Sequence, residues 1–446
     1  MSMSRQDREQ QPTLWIAATE VAPSPGNPFY QRLNRILKEA GFDTFVEGLC
    51  APFYKAGGRP SIAPGIYFRM LLIGYLEGLD SERGIAWRCA DSLGLREFLG
   101  FTLTQATPDH SSLSVIRRRL DLEAHREVFC WVLRVLAEAG LLKGKTIGVD
   151  ATTLEANAAL RSIVRRDTGE SYEAFLTRLA KASGIETPQR EDLAKLDRER
   201  PKKGSNQDWE HPHDPDARIT KMKDGSTHLA HKAEHAVDLE TGAVVAVTLQ
   251  AADQGDTQTL LDTLAHASEN VMDLPGERPP MQEVVTDKGY HCNETVSVLA
   301  ECGVRSYIPE PKRGRRKWGE KQTAQHAVYA NRRRIRGERG KRLLRRRGEL
   351  LERPFAHCYE TGAMRRTHLR GRENILKRLL VHVAACNLGL VMRTRFGFGT
   401  PRGLSGLLST LLVSIIRICG RSKTLWAPMR ATFHSSEVPI RFLAAA

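Results

Sequence analysis

Between Leu142 and Thr146 the chain changes its hydrophobic period, and that change limits the fold more than any other feature. Before it, apolar residues recur at helical spacing. In "PGIYFRMLLIGYLEGL" (64–79), Tyr67, Leu71, Tyr75 and Leu79 fall four residues apart, on one predicted helix face. "SERGIAWRCADSLGL" follows, with Ser81 as N-cap and Gly94 as the C-terminal stop. "TPDHSSLSVIRRRLDLEAHREVFCWVLRVLAEAG" opens at Asp109 or Ser111 and buries Leu113, Ile116, Leu120, Phe129, Leu133 and Leu136. Short helices joined by tight turns predict an all-helical region over 28–142, arranged like a helix-turn-helix bundle. The triplet Arg117-Arg118-Arg119 reads either as an edge that faces phosphates or as an ordinary wet basic face.

After the change the pattern is that of strands. "KTIGVDATTLEAN" (145–157) is rich in Thr, Ile and Val and contains Asp150. Residues 158–227 are polar and charged, an insertion expected to carry one helix and to be partly mobile. "HKAEHAVDLETGAVVAVTLQ" (231–250) predicts two strands around Glu240-Thr241-Gly242. A helix capped near Asp256 comes next, then "MQEVVTDKGY", a strand ending in Asp287. A short helix from Asn293 to Gly303, the strand "VRSYIPEPK" and a long helix over 373–392 complete the order. Strands alternating with helices, with one hairpin, predict a mixed α/β sheet. The expected division is a tail at 1–27, a helical domain at 28–142, an α/β domain at 143–395 and a second tail at 396–446.

Charge narrows the choice of partner. The net charge is +15 over 446 residues, and Lys312–Arg353 alone holds 17 Lys and Arg against 4 Glu. A block of this kind suits a polyanion, because each phosphate neutralised releases a counterion. Its bland alternative is a solvated basic loop. The eight cysteines are scattered without a CxxC pair, which excludes a zinc ribbon and fits a reducing cytosol. The N-terminus has no apolar signal core, and "LLSTLLVSIIRICG" (407–420) is too short to span a bilayer, so no membrane partner is expected. No P-loop or Rossmann glycine motif appears. Trp318 and Tyr329 fit packing better than base stacking, and His228, His231 and His235 fit a strand better than a zinc site.

Two acids stand on predicted strands of one sheet, Asp150 and Asp287. A carboxylate in a core strand is costly unless it is paired or metal-bound. Carboxylate oxygens suit Mg²⁺ or Mn²⁺, and two such ions serve phosphoryl transfer. A third acid is sought in "RRRGELLERPFAHC", where Glu352 precedes Arg353-Pro354 and is expected at a kink or a helix start. Its alternative is a salt bridge with Arg346, Arg347 or Arg353. Asp238 reads as a hairpin residue and Asp256 as a helix cap.

Taken in order, "IGVDATTLEAN", "VVTDKGY", "LERPFAH" and "LRGRENILKRLLVHVAACNL" resemble the catalytic core of bacterial insertion-sequence transposases of the DDE type. Within that group the likeness is to the insertion-sequence four/five superfamily, on an eleven-eighty-two-like branch, and it covers about 28–402. The resemblance implies an RNase H-like mixed sheet with an all-helical N-terminal domain. It implies Asp150, Asp287 and Glu352 as catalytic acids and ligands of two Mg²⁺ ions, with Mn²⁺ as a substitute. It implies double-stranded DNA as partner, both element ends and target, and a homodimer in the synaptic complex. The setting would be the bacterial cytoplasm, at the nucleoid. Lys288, Arg117, Arg118, Arg332, Arg333, Arg334, Arg346 and Arg347 are the expected phosphate contacts. One departure stands out: the signature Y-x2-R-x3-E-x6-K calls for Arg at 348 and Lys at 359, where this chain has Gly348 and Tyr359. A catalytically inactive DNA-binding derivative and a structure-specific nuclease on the same core are the alternatives.

Overall fold

In the computed structural model the described residues are 26–405, apart from 56, 58–60, 201–203, 223–224, 277–278, 313, 315 and 317. The apolar run at 407–420 and nearly all of both tails lie outside them.

Seven helices come first: α1 (Pro28–Glu39), α2 (Phe42–Cys50), α3 (Pro64–Glu77), α4 (Glu82–Asp91), α5 (Leu93–Leu99), α6 (His110–Arg119) and α7 (Leu122–Glu138). Side-chain caps start most of them. Ser81 accepts from the Gly84 amide at 3.2 Å, and Asp109 from the Ser112 amide at 2.8 Å. Two expectations need correction. Gly94 lies inside α5, and the break is made by Ser92, whose hydroxyl caps that helix. The α3 helix does not present one apolar face: Tyr67, Phe68, Met70, Leu72 and Ile73 are all buried, because neighbouring helices enclose it.

The second half contains β1 (Thr146–Glu155), β2 (Val164–Arg165), α8 (Tyr172–Ala182), α9 (Arg190–Glu199), β3 (Trp209–Glu210), β4 (Arg218–Lys221), β5 (Thr227–Asp238), β6 (Val244–Ala251), α10 (Asp256–Met272), β7 (Glu283–Val285), α11 (Asn293–Glu301), β8 (Arg305–Tyr307), α12 (Gln322–Arg336), α13 (Glu338–Phe355) and α14 (Arg372–Phe396). Among its described residues the insertion thus holds two α-helices, not one, beside a small core of Ile163, Trp209, Ala217 and Leu229. So few apolar residues gave no helical periodicity to read.

In the main sheet β5 is the antiparallel partner of β1, β6 and β4, while β1, β7 and β8 run parallel. This mixed sheet, with a helical region before it, is the RNase H-like α/β arrangement expected. Helix α10 covers one face through Thr259 and Thr263, and α13 covers the other. A Cβ on Gly148 would lie 2.6 Å from Leu351 and 2.7 Å from Leu239, so only glycine lets α13 settle this close to β1. The last helix, α14, returns to pack on α7, α3 and β6, so one continuous apolar core joins the helical region to the sheet. It is long and apolar enough to cross a membrane, but 89% of its apolar stretch is buried here.

Candidate metal-binding active site

Parallel register builds the site. Ile147 lies opposite Val284 and Gly148 opposite Val285. Two residues further along each chain stand Asp150 and Asp287, on the same side of the sheet. The strand β7 ends at Val285, and Asp287 then caps a single 3-10 turn, Lys288–Tyr290, its Oδ1 accepting from the Gly289 amide at 2.8 Å. The aspartate just past the strand tip therefore makes the turn.

Asp150 is held between opposing influences. Burial pushes its carboxyl above the ordinary range, the Arg347 guanidinium at 2.6 Å opposes that, and the charges of Asp287 and Asp256 raise it again. The charges that bear on Asp150 are thus those of Arg347, Asp287 and Asp256. Asp256 is the first residue of α10, whose N-cap is Gly255. Its side chain does not cap the helix; its Oδ1 takes the Lys232 ammonium at 2.6 Å. Its Oδ2 and the Asp287 Oδ1 would lie 2.8 and 3.1 Å from a Cβ on Gly289, so the missing side chain leaves a cradle between the two carboxylates.

Beneath the cradle is a buried knot around Glu234 of β5. It accepts from Tyr290 Oη at 2.8 Å, from Thr259 Oγ1 at 2.9 Å and from Thr263, with Lys232 Nζ at 3.7 Å. A buried charge lacking such partners would cost several kcal/mol. Tyr290 ties the turn that carries Asp287 to this knot. The sequence signal for it was faint: Lys232 and Glu234 are opposite charges at strand spacing, among histidines and alanines.

Glu352 lies in the last turn of α13, not at a helix start; the helix contains Pro354 and passes into a π turn over Ala356–Thr361. Its carboxylate is exposed, with no ion-pair or hydrogen-bond partner among the described residues. Among those residues no group of three or more His, Cys, Asp or Glu is arranged to hold a metal. Asp287 and Asp256 both flank Gly289 and their charges act on Asp150, while no hydrogen bond or ion pair joins Glu352 to them. Asp150 and Asp287 still fit Mg²⁺, which takes one or two carboxylates and completes its shell with water and substrate phosphate. Tyr359, where the signature has Lys, is buried and bonded to His235 Nε2 at 2.8 Å. Burial lowers that histidine to about 3, so it stays neutral.

The arginines divide into engaged and free. Arg117 is buried and paired with Glu82, inside the bundle rather than at its surface. Arg332 is held by Glu310 at 2.6 Å, Arg334 by the Ser306 carbonyl at 2.9 Å, and Arg346 by the Glu240 carbonyl at 2.9 Å. Lys288 and Arg333 are exposed and without partners among the described residues; Arg118 is exposed and bonds only its own helix. Trp318 and Tyr329 pack together at 6.0 Å under Arg316 and Arg332. His231 is buried against Asp214.

The fold is RNase H-like, with one carboxylate carried on β1 and another just past the end of its parallel neighbour β7. Residues 20–119 match the model of a transposase domain (DUF772), and residues 205–388 that of the transposase DDE domain. The two matches support a DDE-type transposase, a class that acts on DNA with divalent metal ions. The DDE match contains Asp287 and Glu352 but begins after β1, so Asp150 joins the site by geometry alone. No curated protein matches the chain.

Proposed function

We propose that this protein is the transposase of a bacterial insertion element, on the eleven-eighty-two-like branch of the insertion-sequence four/five superfamily. The helical domain, 28–142, binds the terminal inverted repeats; the α/β domain, 143–395, cleaves and joins. It works as a homodimer on double-stranded DNA, in the cytoplasm at the nucleoid. The observation that carries this reading is the pairing of Asp150 and Asp287 at the edge of parallel strands, beside an arginine-rich helix.

Asp150 and Asp287 hold the metal ions, with Glu352 as the third acid by motif. Two Mg²⁺ ions at such a site supply activation of the attacking oxygen and stabilisation of the leaving one. In the first step a water oxygen bonds to phosphorus, and the element's 3′ oxygen leaves as a hydroxyl. In the second step that hydroxyl attacks a target phosphodiester and expels the target's 3′ oxygen. Arg347 orients Asp150, and Tyr290 with Glu234 fixes the turn carrying Asp287. Lys288, Arg118, Arg333 and Arg346 meet phosphates.

The test is nicking of a supercoiled plasmid carrying the element ends. Nicking should require Mg²⁺ and vanish in Asp287→Asn and Asp150→Asn while DNA binding persists. Nicking that survives Asp287→Asn refutes the assignment. One observation favours a second reading, a DNA-binding derivative without activity: Tyr359, buried against His235, stands where the signature has lysine. DNA binding without any nicking by the parent protein would select it.

A further inference from the structure

Helix α13 borders a second feature that the carboxylate site does not use. An open groove of about 270 Å³ runs between it and the start of β1 with the β5–β6 turn, lined by Thr146, Leu239, Glu240, Arg339, Arg342 and Arg346. Three arginines face one groove because they recur at three- and four-residue spacing on one side of the helix. Their states differ. Arg339 is committed to the buried Glu283, whose charge it neutralises. Arg346 is exposed and bonded only to the Glu240 carbonyl. Arg342 is exposed and has no partner among the described residues. Two cations thus stand open in a groove whose only acidic lining residue, Glu240, already gives its carbonyl to one of them.

Arg347, the next residue after Arg346, reaches Asp150. From Arg339 to Arg346 the helix rises about 10 Å, at 1.5 Å per residue.

Resting on the transposase reading, we propose that this groove is a backbone track for one DNA strand leaving the carboxylate site, with Arg342 and Arg346 as its phosphate contacts. The contacts carry no base specificity, since arginines here meet phosphates and not base edges. The track sets the path and register of the strand relative to Asp150.

The salt dependence of DNA binding reads this directly, by fluorescence anisotropy of a labelled duplex with EDTA present and no metal. Each lost phosphate contact flattens the slope of log affinity against log salt by about 0.9. The double variant Arg342→Ala/Arg346→Ala should flatten it by about 1.8, so that between about 50 and 200 mM salt it loses about 12-fold less affinity than the parent. The matched control, Arg178→Ala/Lys181→Ala on α8, removes the same charge from the insertion and should leave the slope unchanged. Both residues are exposed there. Circular dichroism checks that each variant is folded. An unchanged slope in the groove variant, or equal flattening in both, overturns the track. A parent protein that fails to bind duplex DNA overturns the transposase reading itself, which separates the two failures.

Discussion

Tyr290→Phe removes one hydroxyl from the knot beneath the acids and leaves the ring in place. The lost bond is charge-assisted, from Tyr290 Oη to the Glu234 carboxylate at 2.8 Å, with Glu234 fully buried. Hydrogen bonds to charged groups contribute about 1.5–3 kcal/mol. Glu234 keeps Thr259, Thr263 and Lys232, so the core survives and the loss falls on the turn that carries Asp287. Hydrogen exchange of a peptide spanning 283–294 should show about 10- to 150-fold less protection, that energy expressed as a local opening constant. Nicking should fall with it, because a displacement of about 1 Å at a reacting group costs on the order of 100-fold. Glu234→Ala strips the knot of its anion and should cost about 3–5 kcal/mol, since Lys232 is then buried with less to pair with. Protection within about threefold of the parent for Tyr290→Phe would refute the idea that this tyrosine anchors the turn.

Gly289→Ala puts a methyl between Asp256 and Asp287, which it would meet at 2.8 and 3.1 Å. Nicking should drop about 100-fold, with the thermal transition nearly unchanged. Arg339→Ala leaves Glu283 buried with only Thr146, Tyr307 and Arg305 as partners, a destabilisation of about 3 kcal/mol at neutral pH in chemical denaturation. Burial would raise the Glu283 carboxyl, but bonds from Arg339 and Thr146 hold it below its ordinary value, so the parent loses that stability as pH falls through the lowered value. Without Arg339 burial prevails and protonation relieves the strain; the gap between parent and variant should therefore narrow on acidification, and a gap that widens contradicts the assignment.

Much of the fold could be read from residues whose chemistry is local. Ser81 and Asp109 cap helices by their own hydroxyl and carboxylate, and the hairpin turns on Gly242 at φ 83°. Asp150 and Asp287 could be placed on strands because Thr, Ile and Val flank them. What escaped depends on tertiary neighbours. The burial of α3 on every side is set by the helices around it, and the insertion's second helix has no apolar stripe. Asp256 looked like a cap because it opens a helix; only Lys232, reaching from β5, shows that its carboxylate turns toward Asp287. Glu352 was expected at a kink or a helix start because proline disfavours a preceding helix, but α13 continues through Pro354 to Phe355.

The central claim is that Asp150 and Asp287 share a metal-binding edge, and Mn²⁺ binding followed by electron paramagnetic resonance measures it without reference to catalysis. The parent should bind the ion, and Asp150→Asn and Asp287→Asn should each weaken binding by more than the roughly tenfold loss that follows removal of even an outer partner. Undiminished Mn²⁺ binding in Asp287→Asn would contradict the account.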